Sequence, residues 1–366
     1  MHLACVVGAR PNFMKMAPIL SALEKYPDVS TTLIHTGQHY DKNLSDVFFE
    51  ELNIRRPDLF LGIGSGTHAQ QTSEVMKAIE QFLVSSQEKM PVDRLVVVGD
   101  VNSTMAAAIA ASKLNICIAH VESGLRSFDR KMPEEINRLV TDAISNLLFV
   151  SEPQGVDNLK REGHVDSEIF LVGNVMIDTL FAHREQARQS RILEHLHLQV
   201  GQYGVVTLHR PSNVDDPVVL ARLLEVLRDI SRQLPLVFPV HPRTMSRFEM
   251  LGFSGQRDQK SSIIFCEPLG YLDFLCLTSQ AKVIVTDSGG LQEESTALGV
   301  PCLTLRENTE RPITCSEGTS TLIGNSPDQL AFYLSLVLSG RYKSGKCPDL
   351  WDGRAAERIA RILSAP

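Results

Sequence analysis

Several features that would narrow the class of this protein are missing from its sequence. Its seven cysteines include no CxxC pair, so the pattern argues against a disulfide framework and predicts scattered reduced thiols. No stretch approaches the ~18 consecutive apolar residues that a membrane helix needs. The apolar run ending at Gly8 is too brief for the apolar region of a signal peptide. We therefore expect a cytoplasmic protein without a membrane partner.

Positive charge and cofactor motifs are equally scarce. The net charge of −7 argues against bulk attraction to nucleic acid, so any phosphate must be held locally. The turn after the first apolar run, Gly-Ala-Arg-Pro at 8–11, is not the GxGxxG fingerprint of a dinucleotide site, and a bound redox cofactor is not indicated. No HxxH motif or Cys/His group supports a metal. We expect no metal, no other cofactor and no nucleic-acid partner.

Short β-branched runs alternate with longer segments of helical periodicity almost from end to end. At 366 residues, two domains are the natural expectation. The runs are apolar on both faces, which predicts parallel sheets covered by helices on both sides. Strands are predicted in a first series at 2–7, 31–36, 94–99, 116–121, 147–151 and 169–172, and in a second series at 204–208, 236–240, 262–266, 282–286 and 301–305.

We predict two Rossmann-like α/β domains that face a central cleft, residues 1–174 and 175–350. A polar helical stretch, rich in Arg and Gln (181–199), separates the two series of strands and places the boundary in or just before it. In open parallel sheets a ligand binds beyond the carboxyl ends of the strands. Charged and imidazole groups follow the strands of both series, and this clustering favours a functional site over scattered surface charge.

The first series supplies cations and carboxylates. Arg10 and Lys15 lie at the mouth of the first predicted helix, where both can reach a phosphate, although either could be a solvated surface cation. Asp100, Glu122 and the Pro-Glu-Glu segment at 133–135 place carboxylates at the edge of the predicted cleft. Repulsion between converging carboxylates separates their pKa values and creates an acid beside a base. Each carboxylate could instead cap a helix.

The second series supplies a candidate anion site at Thr-Asp-Ser-Gly-Gly (286–290), which opens a helix. The glycines let backbone N–H groups approach an anion, and the helix start adds free donors and a positive dipole end; a plain serine N-cap would also explain the motif. Glu293 and Glu294 point about 100° apart on this helix, so only one can reach the ribose of a bound nucleotide. His209 and His241 could bind phosphate or move protons.

Together these segments resemble the non-hydrolysing UDP-N-acetylglucosamine 2-epimerase family, along nearly the whole chain and in the family's order. Any one fragment is weak, but their common order makes chance implausible. The matching segments are GARPNFMKMAP (8–18), TGQH (36–39), VVGDVNST (97–104), HVESGLRS (120–127), PEEINR (133–138), GN before VMID (173–178), VTLHRPSN (206–213), PVHPR (239–243), PLGYLDF (268–274), TDSGGLQEE (286–294) and RENTERPITCSEGTSTLIG (306–324).

The resemblance implies the glycosyltransferase-B fold, a C-terminal helix within 351–366 that crosses back to the first domain, and commonly a homodimer. The implied reaction inverts carbon 2 of UDP-GlcNAc to give UDP-ManNAc. A base removes the proton on carbon 2 while UDP leaves carbon 1, and the resulting glycal takes back UDP with protonation from the opposite face. Nothing is oxidised, so the reaction needs no nicotinamide.

Carried over by motif, the acid/base carboxylates are Asp100, Glu122 and Glu134, and His209 lies beside the diphosphate. In the nucleotide half, the serine and glycines of the 286–290 segment bind the diphosphate, a glutamate binds the ribose and a phenylalanine lies near the uracil. The candidate substrate-binding residues are Arg10, Lys15, His241, Phe274, Ser288, Gly289, Gly290, Glu294 and Arg311.

Other functions stay open at this stage. Basic residues near the sugar (Arg126, Arg130 and Lys131) would suit a related substrate such as UDP-2,3-diacetamido-glucuronic acid. A hydrolysing relative would release UDP and free ManNAc, and a UDP-sugar glycosyltransferase or a catalytically silent nucleotide-binding module would share the fold. Segments 40–51 and 68–83 differ from those with which bacterial members bind a second UDP-GlcNAc as an activator, so the resemblance does not extend to that site.

Overall fold

The computed structural model describes residues 1–37, 55–64, 66–240, 242–250 and 262–365, without the side chains of residues 242, 243, 246 and 249. The chain divides into two units. Unit 1 consists of Met1–Thr179 with Asp349–Pro366, and unit 2 consists of Leu180–Pro348. Each unit is built on one parallel sheet, so each can be described by itself.

Unit 1 contains a seven-stranded parallel sheet in the order β3-β2-β1-β4-β5-β6-β7. The strand order reverses between β1 and β4, and such a switch point is where open α/β sheets bind ligands. The elements are β1 His2–Val7, α1 Arg10–Leu23, β2 Ser30–His35, β3 Leu59–Phe60, α2 His68–Ser86, β4 Arg94–Val98, α3 Asn102–Lys113, β5 Cys117–Ser123, α4 Pro133–Ala143, β6 Leu147–Val150, α5 Pro153–Arg161, β7 Ile169–Leu171 and α6 Val175–Ala187, which crosses into unit 2.

Small side chains shape the core of unit 1. Helix α3 carries a run of alanines, of which Ala106, Ala107 and Ala111 are fully buried. Because these side chains are short, α2 packs closely along α3 and contributes Val75 and Ile79 to the same apolar cluster. Strands β1, β4 and β5 are neighbours in this parallel sheet, so their polar carboxyl ends lie side by side.

The C-terminal segment, with helix α15 (Ala355–Leu363), belongs to unit 1 and packs on α1. Asp178 accepts the backbone N–H groups of Ala355 (3.1 Å) and Ala356 (2.7 Å) at the start of the helix, where a carboxylate also favours the helix dipole. The indole Nε1 of Trp351 donates to the carbonyl of Ser151 at 3.0 Å. The segment is thus attached by hydrogen bonds as well as by its apolar face.

Gly173 is where the C-terminal segment approaches the main body of unit 1 most closely. It has a φ of +88°, and a Cβ there would overlap the backbone carbonyl oxygen of Leu350. We expect Gly173→Ala to lower the unfolding free energy by about 1–2 kcal/mol for the left-handed backbone and by a further ~1–3 kcal/mol for overpacking. The fluorescence of Trp351, the one tryptophan of the sequence, reports denaturant unfolding of unit 1.

Gly163 offers a matched control for this prediction. Its φ is +100°, but a Cβ at this position would meet nothing within 4 Å. Gly163→Ala should therefore show the backbone cost alone. Equal losses in the two variants would mean that the contact between residues 173 and 350 does not constrain the fold.

Unit 2 contains a six-stranded parallel sheet in the order β10-β9-β8-β11-β12-β13, with its switch point between β8 and β11. A leucine stripe at helical spacing (Leu220, Leu223, Leu224 and Leu227) buries one face of α9 in the core. The elements are α7 Ile192–His195, β8 Gly204–Thr207, α8 Pro211–Val214, α9 Pro217–Ser231, β9 Leu236–Pro239, α10 Pro242–Met250, β10 Ile263–Cys266, α11 Tyr271–Ser279, β11 Val283–Thr286, α12 Gly289–Leu298, β12 Cys302–Thr304, α13 Ile313–Ser316, β13 Ser320–Leu322 and α14 Pro327–Leu338.

The predicted strands of both series are confirmed to within two residues at their ends. Two strands were not predicted, β3 and β13, because edge strands of two and three residues leave no periodic pattern in a sequence. Among the residues that the structure describes, no helix is long and apolar enough to cross a membrane. In the same part of the chain, no three His, Cys, Asp or Glu side chains are grouped so that they could hold a metal ion.

Candidate active site

The turn after β1 is tied to the end of β4 at the switch point of unit 1. Asn12, in the first turn of α1, accepts the backbone N–H groups of Gly8 (3.2 Å) and Ala9 (3.0 Å) with its Oδ1. Its Nδ2 donates to the carbonyl of Val98 at 3.0 Å. One buried amide therefore fixes the spacing between two strand ends, and the residues that follow each strand share a common edge.

Lys15 and Glu122 meet at this edge. They form a buried ion pair between Nζ and Oε2, although Lys15 belongs to α1 and Glu122 lies 107 positions along the chain in β5. Gly99, directly after β4, closes on the pair: a Cβ there would lie 3.4 Å from Glu122 Oε2 and 3.5 Å from Lys15 Nζ. The ends of β4, β5 and the first turns of α1 thus surround one carboxylate and one ammonium group.

Glu122 occupies a strained backbone position. Its φ is +71°, a left-handed conformation that a glutamate rarely adopts, and the register of β5 against β6 shifts between Val121 and Ser123. Such strain costs on the order of 1–3 kcal/mol and persists where surrounding contacts over-determine it, which happens often at active sites. The strain turns the Glu122 side chain toward Lys15 instead of continuing the alternation of the strand.

Asp100 is held from α4. Arg138, which is buried, forms an ion pair with Asp100 Oδ2, and Asn137 Nδ2 donates to the Asp100 carbonyl at 2.8 Å. The Asp100 side chain is still 29% exposed, so a reactant can reach it. The other side of Arg138 contacts Glu135 at 2.6 Å. A chain of charges from Glu135 through Arg138 therefore orients the carboxylate of Asp100.

The two neighbouring glutamates of the Pro-Glu-Glu segment have different environments. Glu135 is buried and accepts the backbone N–H groups of Ser127 and Phe128, each at 2.9 Å. Burial alone would raise the pKa of Glu135, but hydrogen bonds from the Ser127 backbone and hydroxyl, with the charge and hydrogen bond of Arg138, hold it below its ordinary value. Glu134 is exposed in the first turn of α4 and keeps its predicted role as a proposal.

A second hydrogen-bond network, centred on His120 and Asp142, fixes the ends of β4 and β5. His120 places Nε2 2.8 Å from the carbonyl oxygen of Gly99 and Nδ1 2.6 Å from Asp142 Oδ1. Asp142 also accepts the N–H of Gly124 at 3.0 Å. Burial favours the neutral acid, but the charge of His120 and its hydrogen bond, together with Arg126, keep the pKa of Asp142 below its ordinary value. The network fixes the backbone on both sides of Glu122.

The predicted cations of unit 1 fall into two groups. Arg10 is exposed at the start of α1, as a substrate-binding cation would need to be. Arg126 is not an available cation: it is buried, lies 2.7 Å from Asp142, and forms a two-pronged contact with Glu162 at 2.6 and 2.8 Å. Of the basic residues first considered for a sugar carboxylate, Arg130 and Lys131 are exposed.

The switch point of unit 2 lies beside the start of α12. Ser288 is the N-cap residue of this ten-residue helix, but its side chain makes no capping hydrogen bond. Ser288, Gly289 and Gly290 are each partly exposed. The Ser288 hydroxyl therefore does not occupy the N–H donors of the first helical turn, which are the groups that bind anions at helix starts.

His209, after β8, is paired with Asp287, after β11. The distance from His209 Nδ1 to Asp287 Oδ1 is 2.7 Å, and the two side chains are 64% and 0% exposed. Asp287 also accepts the backbone N–H of Arg210 at 2.9 Å and Nδ2 of Asn213 at 3.0 Å. Burial would raise the pKa of Asp287, but the hydrogen bond and charge of His209, with these donors, hold it below its ordinary value.

Arg311 lies behind the start of α12 in a buried charge cluster. Its Nε is 2.6 Å from Glu293 Oε1, and its Nη1 donates to Glu310 Oε1 at 2.6 Å. A Cβ on Gly289 would lie 3.0 Å from Arg311 Nη1 and 3.0 Å from Glu310 Oε1. The glycine thus lets the arginine approach the backbone at the start of α12. Two carboxylates already engage Arg311, so its predicted contact with substrate stays a proposal.

The remaining predicted residues of unit 2 lie on two helices. Glu294 is buried in the second turn of α12, and burial, reinforced by the charge of Glu293, raises its pKa to about 8. Phe274 is half-buried in the first turn of α11. His241 lies outside the described residues, and its role stays a prediction.

The raised pKa of Glu294 leads to a prediction about stability and pH. The group titrates near 4.5 when unfolded and near 8 in the folded protein, so its contribution to stability is full below pH 4.5 and is lost as pH rises through 8. We expect Glu294→Gln to be more stable than the unmodified protein at pH 8, by on the order of a few kcal/mol, and equally stable near pH 4.5. Amide hydrogen exchange of β11 across this pH range would measure the difference. A pH-independent difference would contradict it.

Several structural partners were not found from the sequence. Arg138 pairs with Asp100, whereas Asn12 and Asp142 fix the backbone at Val98 and Gly124. The partners in these contacts are far apart in sequence, so no local spacing reveals them. The Glu135–Arg138 contact is an exception, since its i, i+3 spacing is one that brings two side chains together on a helix. Asp287 was visible as an acid directly after a strand, but its pairing with His209 is a tertiary contact.

The chain has the glycosyltransferase-B-like fold: two parallel α/β units, each with polar side chains gathered at the switch point of its sheet. The sequence profile of the family described as UDP-N-acetylglucosamine 2-epimerase matches residues 21–364, and the chain belongs to this family. The predicted fold class and the predicted family are therefore both confirmed.

Known proteins of this family are similar to this chain over its whole length. The UDP-N-acetylglucosamine 2-epimerase of Methanocaldococcus jannaschii is 41% identical over 369 residues, which covers 100% of this chain and 99% of that protein. Its crystal structure in complex with UDP-GlcNAc and UDP has a TM-score of 0.87 and covers 100% of this chain and 99% of that one. The UDP-2,3-diacetamido-2,3-dideoxy-D-glucuronate 2-epimerase of Pseudomonas aeruginosa is 38% identical over 376 residues, which covers 100% of this chain and 99% of that protein.

Proposed function

We propose that this chain inverts carbon 2 of UDP-GlcNAc to give UDP-ManNAc, without net hydrolysis, by elimination and re-addition of UDP. The observation that carries the proposal is the gathering of Asp100, Glu122 and Lys15 at the switch point of unit 1, with one carboxylate in a strained backbone position. Unit 2 supports it with an uncapped helix start beside a paired histidine. The bound UDP-GlcNAc and UDP of the Methanocaldococcus jannaschii relative support the same substrate.

In the first half of the proposed reaction, a carboxylate of unit 1 takes the proton from carbon 2. The electron pair of that C–H bond forms the C1=C2 double bond, and the C1–O bond breaks with its electrons going to UDP. Asp100, Glu122 and Glu134 are the candidates for proton transfer. Asp100 and Glu122 are favoured, because each is fixed by a neighbouring cation. The N–H donors at the start of α12 and the side chains of His209 and Arg10 stabilise the negative charge that develops on the diphosphate.

In the second half, the glycal turns over and the double bond takes a proton at carbon 2 on the opposite face. A phosphate oxygen of UDP then forms the C1–O bond again, so that atoms and charges balance over the cycle. Glu294 accepts hydrogen bonds from the ribose, and Phe274 lies against the uracil. No electron acceptor is needed, because carbon 2 has the same oxidation state in both sugars.

Incubation with UDP-GlcNAc in heavy water tests the proposal. We expect deuterium at carbon 2 in both UDP-sugars by proton NMR, and a phosphorus spectrum that keeps the signals of a UDP-sugar. Accumulation of UDP would indicate the hydrolysing reaction instead. A glycosyltransferase without acceptor, or a silent binding module, would show neither exchange nor loss of the UDP-sugar.

A related substrate is the second candidate. The exposed cations Arg130 and Lys131 could pair with a sugar carboxylate, and the Pseudomonas aeruginosa relative is named as an epimerase of a diacetamido-glucuronate. Side-by-side assays with UDP-GlcNAc and UDP-2,3-diacetamido-glucuronic acid distinguish the two. If kcat/KM is higher for the uronic acid than for UDP-GlcNAc, and Arg130→Gln abolishes that preference, the uronic acid is the substrate instead of UDP-GlcNAc.

We also propose that the chain acts as a homodimer in the cytoplasm and provides UDP-ManNAc for polysaccharide synthesis. Light scattering on the purified protein tests the assembly. The expected mass is about twice the 40.6 kDa of one chain, and a mass near 40.6 kDa would remove the dimer from the proposal.

A further inference from the structure

We propose that Asp287 is a positioning residue, which orients the imidazole of His209 so that its Nε2 faces the leaving diphosphate. This inference rests on the proposed function, since it assigns a partner to a residue of the same site. The supporting geometry is the 2.7 Å contact between His209 Nδ1 and Asp287 Oδ1, on neighbouring strands at the switch point of unit 2.

Asp287 cannot itself touch a substrate. It is 0% exposed, and its two oxygens accept the backbone N–H groups of His209 (3.2 and 3.0 Å) and Arg210 (2.9 Å), together with Nδ2 of Asn213 (3.0 Å). These donors leave the carboxylate no freedom to turn. The Nδ1 contact is therefore made by a fixed acceptor, which determines the plane and direction of the imidazole ring.

The orientation of His209 follows from the shape of the imidazole ring. Nδ1 and Nε2 lie on different sides of the ring, so anchoring Nδ1 to a buried carboxylate directs Nε2 away from the core. The His209 side chain is 64% exposed, which leaves Nε2 accessible. Ser288, which immediately follows Asp287, occupies the N-cap position of α12, but its side chain makes no capping hydrogen bond. The same aspartate thus joins the histidine to the candidate diphosphate site.

The contact also sets which nitrogen carries the proton. A carboxylate can only accept, so Nδ1 must donate to Asp287. Nε2 is then either the acceptor of a neutral ring or the second donor of an imidazolium, and it can exchange a proton or a hydrogen bond with a phosphate oxygen. An asparagine at 287 would keep an oxygen for the backbone donors but could present an N–H to Nδ1, which favours the opposite tautomer.

The first test uses the unmodified protein and nitrogen-15 NMR of its histidines, with His209 assigned by its loss in His209→Gln. We expect the neutral ring of His209 to carry its proton on Nδ1. A neutral ring protonated on Nε2 would overturn the proposal, whether or not the protein epimerises UDP-GlcNAc. The measurement therefore separates a failure of this inference from a failure of the proposed function.

The second test is a double-mutant cycle of Asp287→Asn and His209→Gln, with kcat, KM and UDP affinity measured for each variant. We expect Asp287→Asn to lower kcat by ~100-fold or more, as loss of the correct histidine tautomer does in catalytic triads, with a change in KM below about threefold. In the His209→Gln background the same change should have little further effect, because Asp287 acts through His209. Independent, multiplying losses would show that Asp287 only supports the fold, and would overturn the proposal.

If Asp287→Asn fails to fold, Asp287→Glu takes its place, and UDP affinity takes the place of kcat as the quantity measured. Asp287→Glu keeps the charge but displaces the acceptor, and its effect on UDP affinity should also disappear in the His209→Gln background. A loss of affinity that is unchanged by His209→Gln would contradict the positioning role.

Discussion

Asp100→Asn should abolish hydrogen exchange at carbon 2 while UDP binding stays detectable. Asparagine has the same shape and can still accept a hydrogen bond from Arg138, but it cannot take up a proton. General acid–base groups contribute roughly 10²–10⁴-fold to rates, so we expect a loss of about 10³-fold or more in the heavy-water assay. Asp100 is not one of the proposed nucleotide contacts, and calorimetry should therefore find UDP affinity within about threefold of the unmodified protein.

Asp157→Asn is a suitable control for this variant. Asp157 is an exposed carboxylate on α5 of the same unit, so its substitution makes the same change of net charge away from the site. We expect unchanged exchange in Asp157→Asn. Full activity in Asp100→Asn would remove Asp100 from proton transfer and leave Glu122 and Glu134 as the candidates.

Lys15→Met should reduce both activity and stability. The substitution removes the cation of the Lys15–Glu122 pair from beside the buried carboxylate of Glu122. Breaking a buried ion pair in this way costs about 3–5 kcal/mol. We expect the unfolding free energy of unit 1, followed by Trp351 fluorescence in denaturant, to fall by that amount. Hydrogen exchange at carbon 2 should fall as well, because Glu122 loses the group that positions it.

Two further variants separate charge from packing in this prediction. Lys25→Met breaks an exposed ion pair with Glu357 in the same unit, in which the side chains are 67% and 45% exposed, and should lower the stability far less than Lys15→Met does. The double variant Lys15→Met with Glu122→Gln removes both charges and should regain most of the lost stability without regaining activity. Equal stability of Lys15→Met and Lys25→Met would mean that the buried pair does not hold unit 1 together.

The sequence was sufficient to predict most of the fold because its signals are local. Strands such as β4 are apolar on both faces and helices such as α9 repeat leucine at helical spacing, so each element could be recognised without knowledge of its neighbours. The polar residues after each strand could be assigned to one edge because parallel strands end on the same side of a sheet. Edge strands β3 and β13 could not be recognised, since two or three residues carry no period.

Neighbouring residues of one motif show where local signals end. Glu134 and Glu135 have the same side chain, yet one is exposed and the other accepts hydrogen bonds from the loop that precedes its helix. Arg126 and Arg311 both read as cations for a ligand, but the fold places each of them between carboxylates of its own unit. Which charges face outward depends on the angular position of each residue on its helix and on the partner that packs against it.

By itself, the sequence determined two parallel α/β units, the edge of each sheet at which charge collects, and the family to which the chain belongs. Only the tertiary structure decided which of those charges act together. Lys15 contacts Glu122, which is 107 positions away in sequence, and His209 contacts Asp287, which is 78 positions away. The reason is physical: backbone periodicity acts over one or two turns or strands, whereas an ion pair forms wherever folding brings opposite charges within about 4 Å of each other, and that distance is set by the packing of the whole unit.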